Sequence, residues 1–489
     1  QCRAMTSSTS TATAVRKTKK PKFPRIEEDR WCQLPDLVLE NVFSYLNAEQ
    51  KYYASVVCSS WYRGFHLPYA WSTFVFQDTT LTRRKFNYYS GWQYILDHIR
   101  TQQCLSSIGM HIRVLIFTPM TNFYNLYEFM NMVSYYAEHQ GRDHMTVKGV
   151  GSLIHTLKYT FPCNMSAKEE QRNRRLYGTG GKLLEAVKRL MSNLDSLRHL
   201  ELIDLMLDHR EALTLLDQVC YNHTQTLRRL SIVNCTKTTC PLLHAGVFLN
   251  LQVLEISPQN LGEDVVYLLG EIRLQHLHII QNRYTPLDIT AVSSKSWQQC
   301  AKNNPSLKVH LRVECIRERQ LLWQESAPVH TVLYASPQCK LQTDVLTRAM
   351  DLYKDQLCVF GHIELPRFHQ PKSFNDRMDP FLLMLCRVCP NLHTLVVRER
   401  VSTSTVLLLA NEGKSLRYLH VRRNAVILRC DWPHNPEWSP GFYEWLRMAS
   451  RSYEDTEREV SQKFGRAWHL LSDKEFKRLT AGRLTASPH

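Results

Sequence analysis

Apolar and polar positions alternate along this chain with two different periods, and each period marks a region. Between Leu34 and Trp71 the period is helical: Leu39, Val42, Phe43 and Leu46 recur on one face. Pro35 suits the first turn of a helix, and Asp36 is placed to accept from the first free backbone amides. Asn47, with Gln50 three residues on, marks a second helix start. Tyr53, Val56, Val57 and Trp61 then give the next apolar face. Three helices this short bury little surface alone. The segment is therefore a bundle docked on the rest of the chain, or a module that keeps apolar surface for another protein.

Further on, the period shortens and the pattern repeats. Leu227, Leu230, Ile232 and Cys235 follow L-x-x-L-x-L-x-x-[NC], as do Leu274/Leu277/Ile279/Asn282 and Leu416/Leu419/Val421/Asn424. Partial copies are Leu197/Leu200/Leu202, Leu251/Leu254/Ile256 and Leu392/Leu395/Val397, with weaker ones at Ile112/Leu115/Phe117, Ile154/Leu157/Tyr159 and Val329/Val332/Tyr334. Leu307, Val309, Leu311 and Val313 alternate strictly, as in a strand. The central residues of each copy predict a short strand pointing alternate side chains into a core. The terminal Asn or Cys is placed to bond backbone where the chain leaves the strand. Helical stretches from Gly181 to Leu194 and from Pro380 to Val388 lie between copies. The predicted fold is α/β: an irregular leucine-rich solenoid with parallel strands on its concave side. An ordinary α/β domain with leucine-rich strands is the alternative.

The segments around these two regions complete the expected organisation. Residues 1–30, Ser/Thr-rich and then basic, predict a disordered arm. Its run from Lys17 to Lys22 is either a nuclear-import signal or a solvated tail. The helical bundle occupies 31–76, linker helices 77–110, the solenoid 111–430 and a helical cap 431–489. In the linker, Phe74, Phe76 and Trp92 are followed by an expected helix from Gln93 to Gln102, with Tyr94, Ile95, Ile99 and Leu105 as core positions. Trp432-Pro433 and Trp438-Ser439-Pro440 mark a turn-rich end to the stack. From Gly441 to Leu471 the period is helical, with Phe442, Trp445, Leu446, Phe464, Trp468 and Leu471 apolar. This part either covers the last repeat or grips a partner.

The residues of the first region carry a family resemblance. Leu34-Pro35, the ladder Leu39/Val42/Phe43/Leu46, Val57-Cys58, Trp61 and the later Trp71 resemble an F-box. Tyr52-Tyr53 stand where that motif usually has aliphatics, and Ser59-Ser60 where it usually has basic residues. The resemblance implies a three-helix F-box and a substrate-receptor role in an SCF-type ubiquitin ligase. It implies that Leu34, Pro35, Leu39, Val42, Phe43, Leu46, Val57, Cys58 and Trp61 contact the SKP adaptor, with cullin and RING subunit bound through it. The repeats would hold the protein to be ubiquitinated. Cys389-Pro390-Asn391-Leu392 and Asn304-Pro305-Ser306-Leu307 resemble segments of F-box only proteins thirty-nine and thirty-three.

Composition narrows the partners. The net charge of +16 favours acidic ones, so a non-catalytic repeat scaffold for nucleic acid or an acidic protein is the alternative function. Fifteen cysteines without regular spacing point to reduced thiols in the cytoplasm or nucleus. No run of apolar residues predicts a membrane span. The chain opens Gln1-Cys2-Arg3, which shows no secretory signal and places the start at Met5 or upstream.

No enzymatic constellation stands out. Gly178 to Lys182 resembles a phosphate loop, but Leu176 occupies the first glycine position and Leu183 the metal-binding Ser/Thr position. Cys386 and Cys389 form one C-x-x-C without a second pair, so no metal is expected. The expectation is a protein without catalysis or cofactor.

Overall fold

The computed structural model describes residues 30–89, 91–120, 122–139, 149–161, 181–314 and 321–485. The basic run of the expected arm and Gly178 to Gly180 lie outside these residues. The chain divides into two compact units, Gln1–Trp71 and Ser72–His489. The first holds three helices, α1 (Asp36–Ser44), α2 (Ala48–Ser55) and α3 (Ser59–Phe65), flanked by 3-10 turns at Arg30–Gln33 and Pro68–Trp71.

The second unit is built on one parallel sheet. Its strands, in spatial order, are β1 (Thr73–Phe76), β4 (Val114–Phe117), β5 (Thr156–Thr160), β6 (His199–Ile203), β7 (Arg229–Val233) and β8 (Val253–Ile256). β9 (His276–Gln281), β10 (Lys308–Glu314), β11 (Val329–Ala335), β12 (Val359–Ile363), β13 (Thr394–Val397) and β15 (Tyr418–Val421) continue it. Two small sheets stand apart: the antiparallel pair β2 (Thr82–Asn87) and β3 (Gly91–Leu96), and the parallel pair β14 (Val401–Ser402) and β16 (Val426–Ile427). Within the large sheet, sequence neighbours are spatial neighbours, as a stack of strand–helix repeats requires.

Register explains the leucine pattern. Leu157, Leu200, Leu230, Leu254 and Leu277 lie side by side across five strands, and all are fully buried. Tyr159, Leu202, Ile232, Ile256 and Ile279 form the row beside them. The leucine that precedes each strand, such as Leu197, Leu227 or Leu274, is equally buried. Amphipathic helices complete the layer. Lys182–Ser192 buries Leu183, Leu184, Val187, Leu190 and Met191, and Asp379–Val388 buries Leu382, Leu383 and Leu385.

Three strand exits turn through a left-handed residue. Asp204, Asn234 and Glu364, each directly after a strand, have φ of 61°, 54° and 72°. Asn and Asp tolerate that region better than most residues. Asn234, one residue before the Cys235 that ends the repeat pattern, bonds other side chains with its amide. Its amide nitrogen donates to Asp204 Oδ1 at 2.7 Å, and its oxygen accepts from Ser257 Oγ at 3.2 Å. Asn282 follows the expectation, accepting from the Tyr284 amide at 3.0 Å.

Three expectations are corrected. The sheet begins at Thr73, inside the segment assigned to the bundle, because Phe74 and Phe76 fill inward positions and stack on Phe129 with centroids 5.8 and 4.1 Å away. The segment 77–110 is not a run of linker helices: the β2–β3 hairpin precedes helix α4 (His98–Ile108). The helix expected from Gln93 starts only at His98, where the Asp97 carboxylate accepts from the amides of Ile99 and Arg100.

The C-terminal segment is helical over Pro440–Ala449 and Tyr453–Phe464, and its next stretch closes the sheet. The Leu471 amide donates to Val421 O at 2.8 Å, Arg423 N donates back to Leu471 O at 2.8 Å, and Trp468 Nε1 donates to Leu419 O at 2.7 Å. These bonds occupy the exposed edge of β15, which would otherwise invite another strand. Phe476 and Leu484 then pack with Leu333, Ala335, Val359, Ile363 and Val396 on β11, β12 and β13. No helix among the described residues is long and apolar enough to cross a membrane.

Leu230→Ala should cost about 2–5 kcal/mol in denaturant unfolding, since its side chain is enclosed on all sides. A methyl group at Gly361 would sit 2.4 Å from Val396 Cβ and 2.8 Å from its carbonyl oxygen. Gly361→Ala should therefore cost about 1–3 kcal/mol by overpacking.

Candidate functional site

The core of the helical bundle is small and complete. Leu39 and Phe43 of α1 are fully buried. Gly64 of α3 lets that helix approach them: a Cβ there would lie 3.3 Å from both side chains. Trp61 meets Phe43 edge-on at 6.0 Å and donates its indole N–H to Trp31 O at 2.9 Å. Trp71, buried, donates to Phe65 O at 2.7 Å and packs edge-on against its ring at 5.1 Å.

Local signals set the helix starts. The Asn47–Gln50 capping box forms, with reciprocal bonds of 2.8 and 3.0 Å. Asp36 makes no cap and pairs instead with Arg63 at 3.0 Å. Cys58 precedes α3, and the Trp61 backbone N–H lowers its thiol pKa.

Helix α2 is turned against the sequence expectation. Its buried residues are Lys51, Ala54 and Ser55. The Lys51 ammonium lies 4.5 Å from the centre of the Trp71 ring, and burial lowers its pKa to about 8. The face carrying Tyr52, Tyr53 and Val56 is exposed.

The nine residues assigned to the adaptor contact therefore divide. Leu39 and Phe43 lie wholly inside the bundle. Leu34, Val42, Leu46, Cys58 and Trp61 are half-buried, and Pro35 and Val57 are exposed. The structure adds Leu37, 78% exposed, together with Tyr45 and Val56, to the outward apolar side chains. A bundle of this size that leaves Leu37, Val56 and Val57 in solvent has an apolar surface it does not use for itself.

Residues 31–77 match the family model described as F-box-like. The bundle is an F-box-like domain, and the chain behind it is built of repeats. Over 312 residues, 62% of this chain, it is 23% identical to F-box/LRR-repeat protein 21 of Bos taurus, and the match spans 64% of that protein's length.

In the repeat unit, the sheet face opposite the leucine rows is polar in its middle. Lys158 pairs with Glu201 at 2.7 Å and Arg229 with Glu255 at 2.5 Å. Burial pushes the Glu255 carboxyl up, but Arg229, His278 and Arg312 outweigh it and hold the group below its ordinary value. Three histidines follow in the same rows. His278 stacks on His310 at 4.3 Å, and His310 joins His276 Nδ1 at 3.0 Å and Thr331 Oγ1 at 2.9 Å. Burial lowers the His278 pKa to about 4 and holds His310 well below its usual value. His362, fully buried and stacked on Tyr334 at 4.5 Å, is likewise lowered to about 4.

Among the described residues, no group of three or more His, Cys, Asp or Glu side chains has a metal-holding arrangement. Cys386 and Cys389 are both buried, which pushes their thiols up to about 12 and about 11. Thiols so placed are poor nucleophiles and poor ligands.

These histidines give a pH dependence of defined sign. Their folded pKa values lie below the ordinary value of about 6.5, so the unfolded chain binds more protons on acidification. The stability they contribute is complete above about pH 6.5 and is lost as the pH falls towards 4. The thermal midpoint should thus fall between pH 7 and pH 5, and His278→Gln with His362→Gln should flatten the slope in differential scanning calorimetry.

Proposed function

We propose that this chain is the substrate-recognition subunit of an SCF-type ubiquitin ligase, contributing no catalytic residue of its own. The F-box-like bundle would dock on the SKP adaptor, which joins it to the cullin and RING subunit. The repeat unit would hold the protein to be modified. The carrying observation is the exposed apolar surface of a bundle whose own core is already closed by Leu39, Phe43 and Trp61. The relative in Bos taurus carries F-box and LRR repeat in its name, which supports this reading.

The mechanism is proximity. Tethering a target beside a ubiquitin-carrying enzyme raises the effective concentration of its lysines, and attack follows without help from this chain. Such a ligase would work in the cytoplasm, the nucleus or both. The finer kinship with F-box only proteins thirty-nine and thirty-three is supported by the two short segments before Leu307 and Leu392.

Burial separates the adaptor-binding residues from those that hold the bundle. Leu34, Pro35 and Val57 are accessible, with Leu37 beside them in sequence, whereas Leu39 and Phe43 act through the core. Leu37→Asp and Val57→Asp should each abolish co-purification of adaptor and cullin while leaving circular dichroism unchanged. The milder pair Leu34→Ala with Pro35→Ala should weaken adaptor binding by more than about 2 kcal/mol if these are anchors. Leu39→Ala should instead lower the bundle's thermal stability. A folded wild-type chain that recovers no adaptor would overturn the proposal.

A further inference from the structure

Most of the β2–β3 hairpin is exposed, and only its last residue, Leu96, is buried. The hairpin joins no other strand among the described residues, yet it is rigidly rooted. The Tyr94 carbonyl accepts from the side-chain amides of Asn122 and Asn125, both at 2.9 Å. Asn125 Oδ1 also accepts from Leu96 N at 2.9 Å, and Arg100 donates to Thr82 O at 3.3 Å. Helices α4 and α5 (Phe123–Glu138) thus hold its base, and the turn projects beyond it.

What projects is basic and aromatic. From Arg83 to Ile95 the sequence holds three cations and no carboxylate. On one face Arg84 stands opposite Tyr94 and Phe86 opposite Trp92. The Arg84 guanidinium lies 5.2 Å from the Trp92 ring centre and 5.9 Å from that of Tyr94, which fixes the charge over the aromatic surface. Arg83 and Lys85 occupy the other face. At the turn, Tyr88 and Tyr89 are 87% and 95% exposed.

The backbone supplies a further constraint. Tyr94 and Leu96 turn their backbone groups away from β2, towards Asn122 and Asn125. In an antiparallel pair opposed residues behave alike and alternate along the strand. Arg84 and Phe86 therefore direct their N–H and C=O groups away from β3, along an edge that pairs with no strand among the described residues. Such an edge is a template for a third strand. Like charge on Arg83, Arg84 and Lys85 repels the same edge of a second copy, whereas it attracts an acidic strand.

We infer that the β2–β3 hairpin binds an extended acidic segment of a partner protein, added as a third strand along the outer edge of β2. The edge gives main-chain hydrogen bonds, the cations on its two faces select carboxylates, and Phe86 and Trp92 cover the apolar side chains between them. That the partner is a ligase substrate rests on the function proposed above; the binding itself does not.

The test uses the full chain and fluorescence anisotropy with a fluorescein-labelled peptide of alternating glutamate and valine. A peptide of equal charge with proline in place of valine lacks half the N–H donors and should bind at least about tenfold more weakly. Arg83→Glu with Lys85→Glu should weaken the glutamate–valine peptide by about tenfold or more, and added salt should weaken it in the wild type. Equal binding of the two peptides, an unchanged double variant, or tighter binding of polyuridylate than of the acidic peptide would each overturn the inference. Should the double variant fail to fold by circular dichroism, the wild-type preference between peptides still decides. Adaptor co-purification is followed in parallel: the hairpin variants should retain it, and its loss in wild type would count against the receptor function alone.

Discussion

The repeat unit depends on one constraint: each row of inward leucines is buried only when the next strand pairs in register beside it. Leu200 needs Leu157 on one side and Leu230 on the other, and a slip of one residue would turn all of them to the opposite face. No single strand–helix repeat can satisfy this alone. Continuity along the stack is therefore the source of its stability. The irregular spacing between copies is tolerated because insertions fall in the connections and leave the register intact.

A stack of this kind has an unsolved problem at its ends, and the C-terminal segment shows a solution in layers. The backbone of Leu471 occupies the free edge of β15. Arg422 fastens the following turn by pairing with Asp473 at 2.7 Å. Phe476 and Leu484 then cover the apolar side chains of β11 to β13 on the face without repeat helices. Upstream, buried Arg377 bridges Asp379 at 3.0 Å and Asp431 at 2.6 Å, tying the turn-rich segment to a repeat helix. Burial raises the Asp379 pKa, yet Arg377, Thr405 Oγ1 and the Ser402 amide all satisfy it. Removing one partner would strand a charge in the interior, a larger loss than the pair's own net worth.

Much of the architecture was legible because leucine spacing reports directly on the inward rows. Two strands escaped for chemical reasons. In β1 the inward residues are Phe74 and Phe76, whose aromatic setting resembled a linker. In β12 the frame begins with Leu357 and Phe360 but then places His362 where a leucine is expected. A buried neutral histidine stacked on Tyr334 does the same packing work, and no hydropathy pattern counts it as apolar. In the bundle, the heptad-like ladder marked apolar positions without saying which way each helix turns. Lys51 faces inward because Trp71 offers its ring, a contact between residues twenty apart that periodicity does not encode. The hairpin was not legible: its mixture of cations and aromatics hid the strand pattern, and Gln93 to Leu96 read as part of a helix.

The two candidate docking surfaces share a physical feature that distinguishes them from the rest of the molecule. Each is presented by a framework whose internal hydrogen bonds and packing are already satisfied. In the bundle, Trp61 and Trp71 spend their indole N–H groups on backbone carbonyls, so the exposed valines and leucine need contribute nothing to folding. In the hairpin, Asn122 and Asn125 fix the base of β3 through the Tyr94 carbonyl. Surfaces that are already rigid lose little conformational entropy on binding, and more of the contact energy remains as affinity. A receptor that must hold an adaptor at one site and a target at another gains from this separation, because neither contact has to complete the fold on which the other depends.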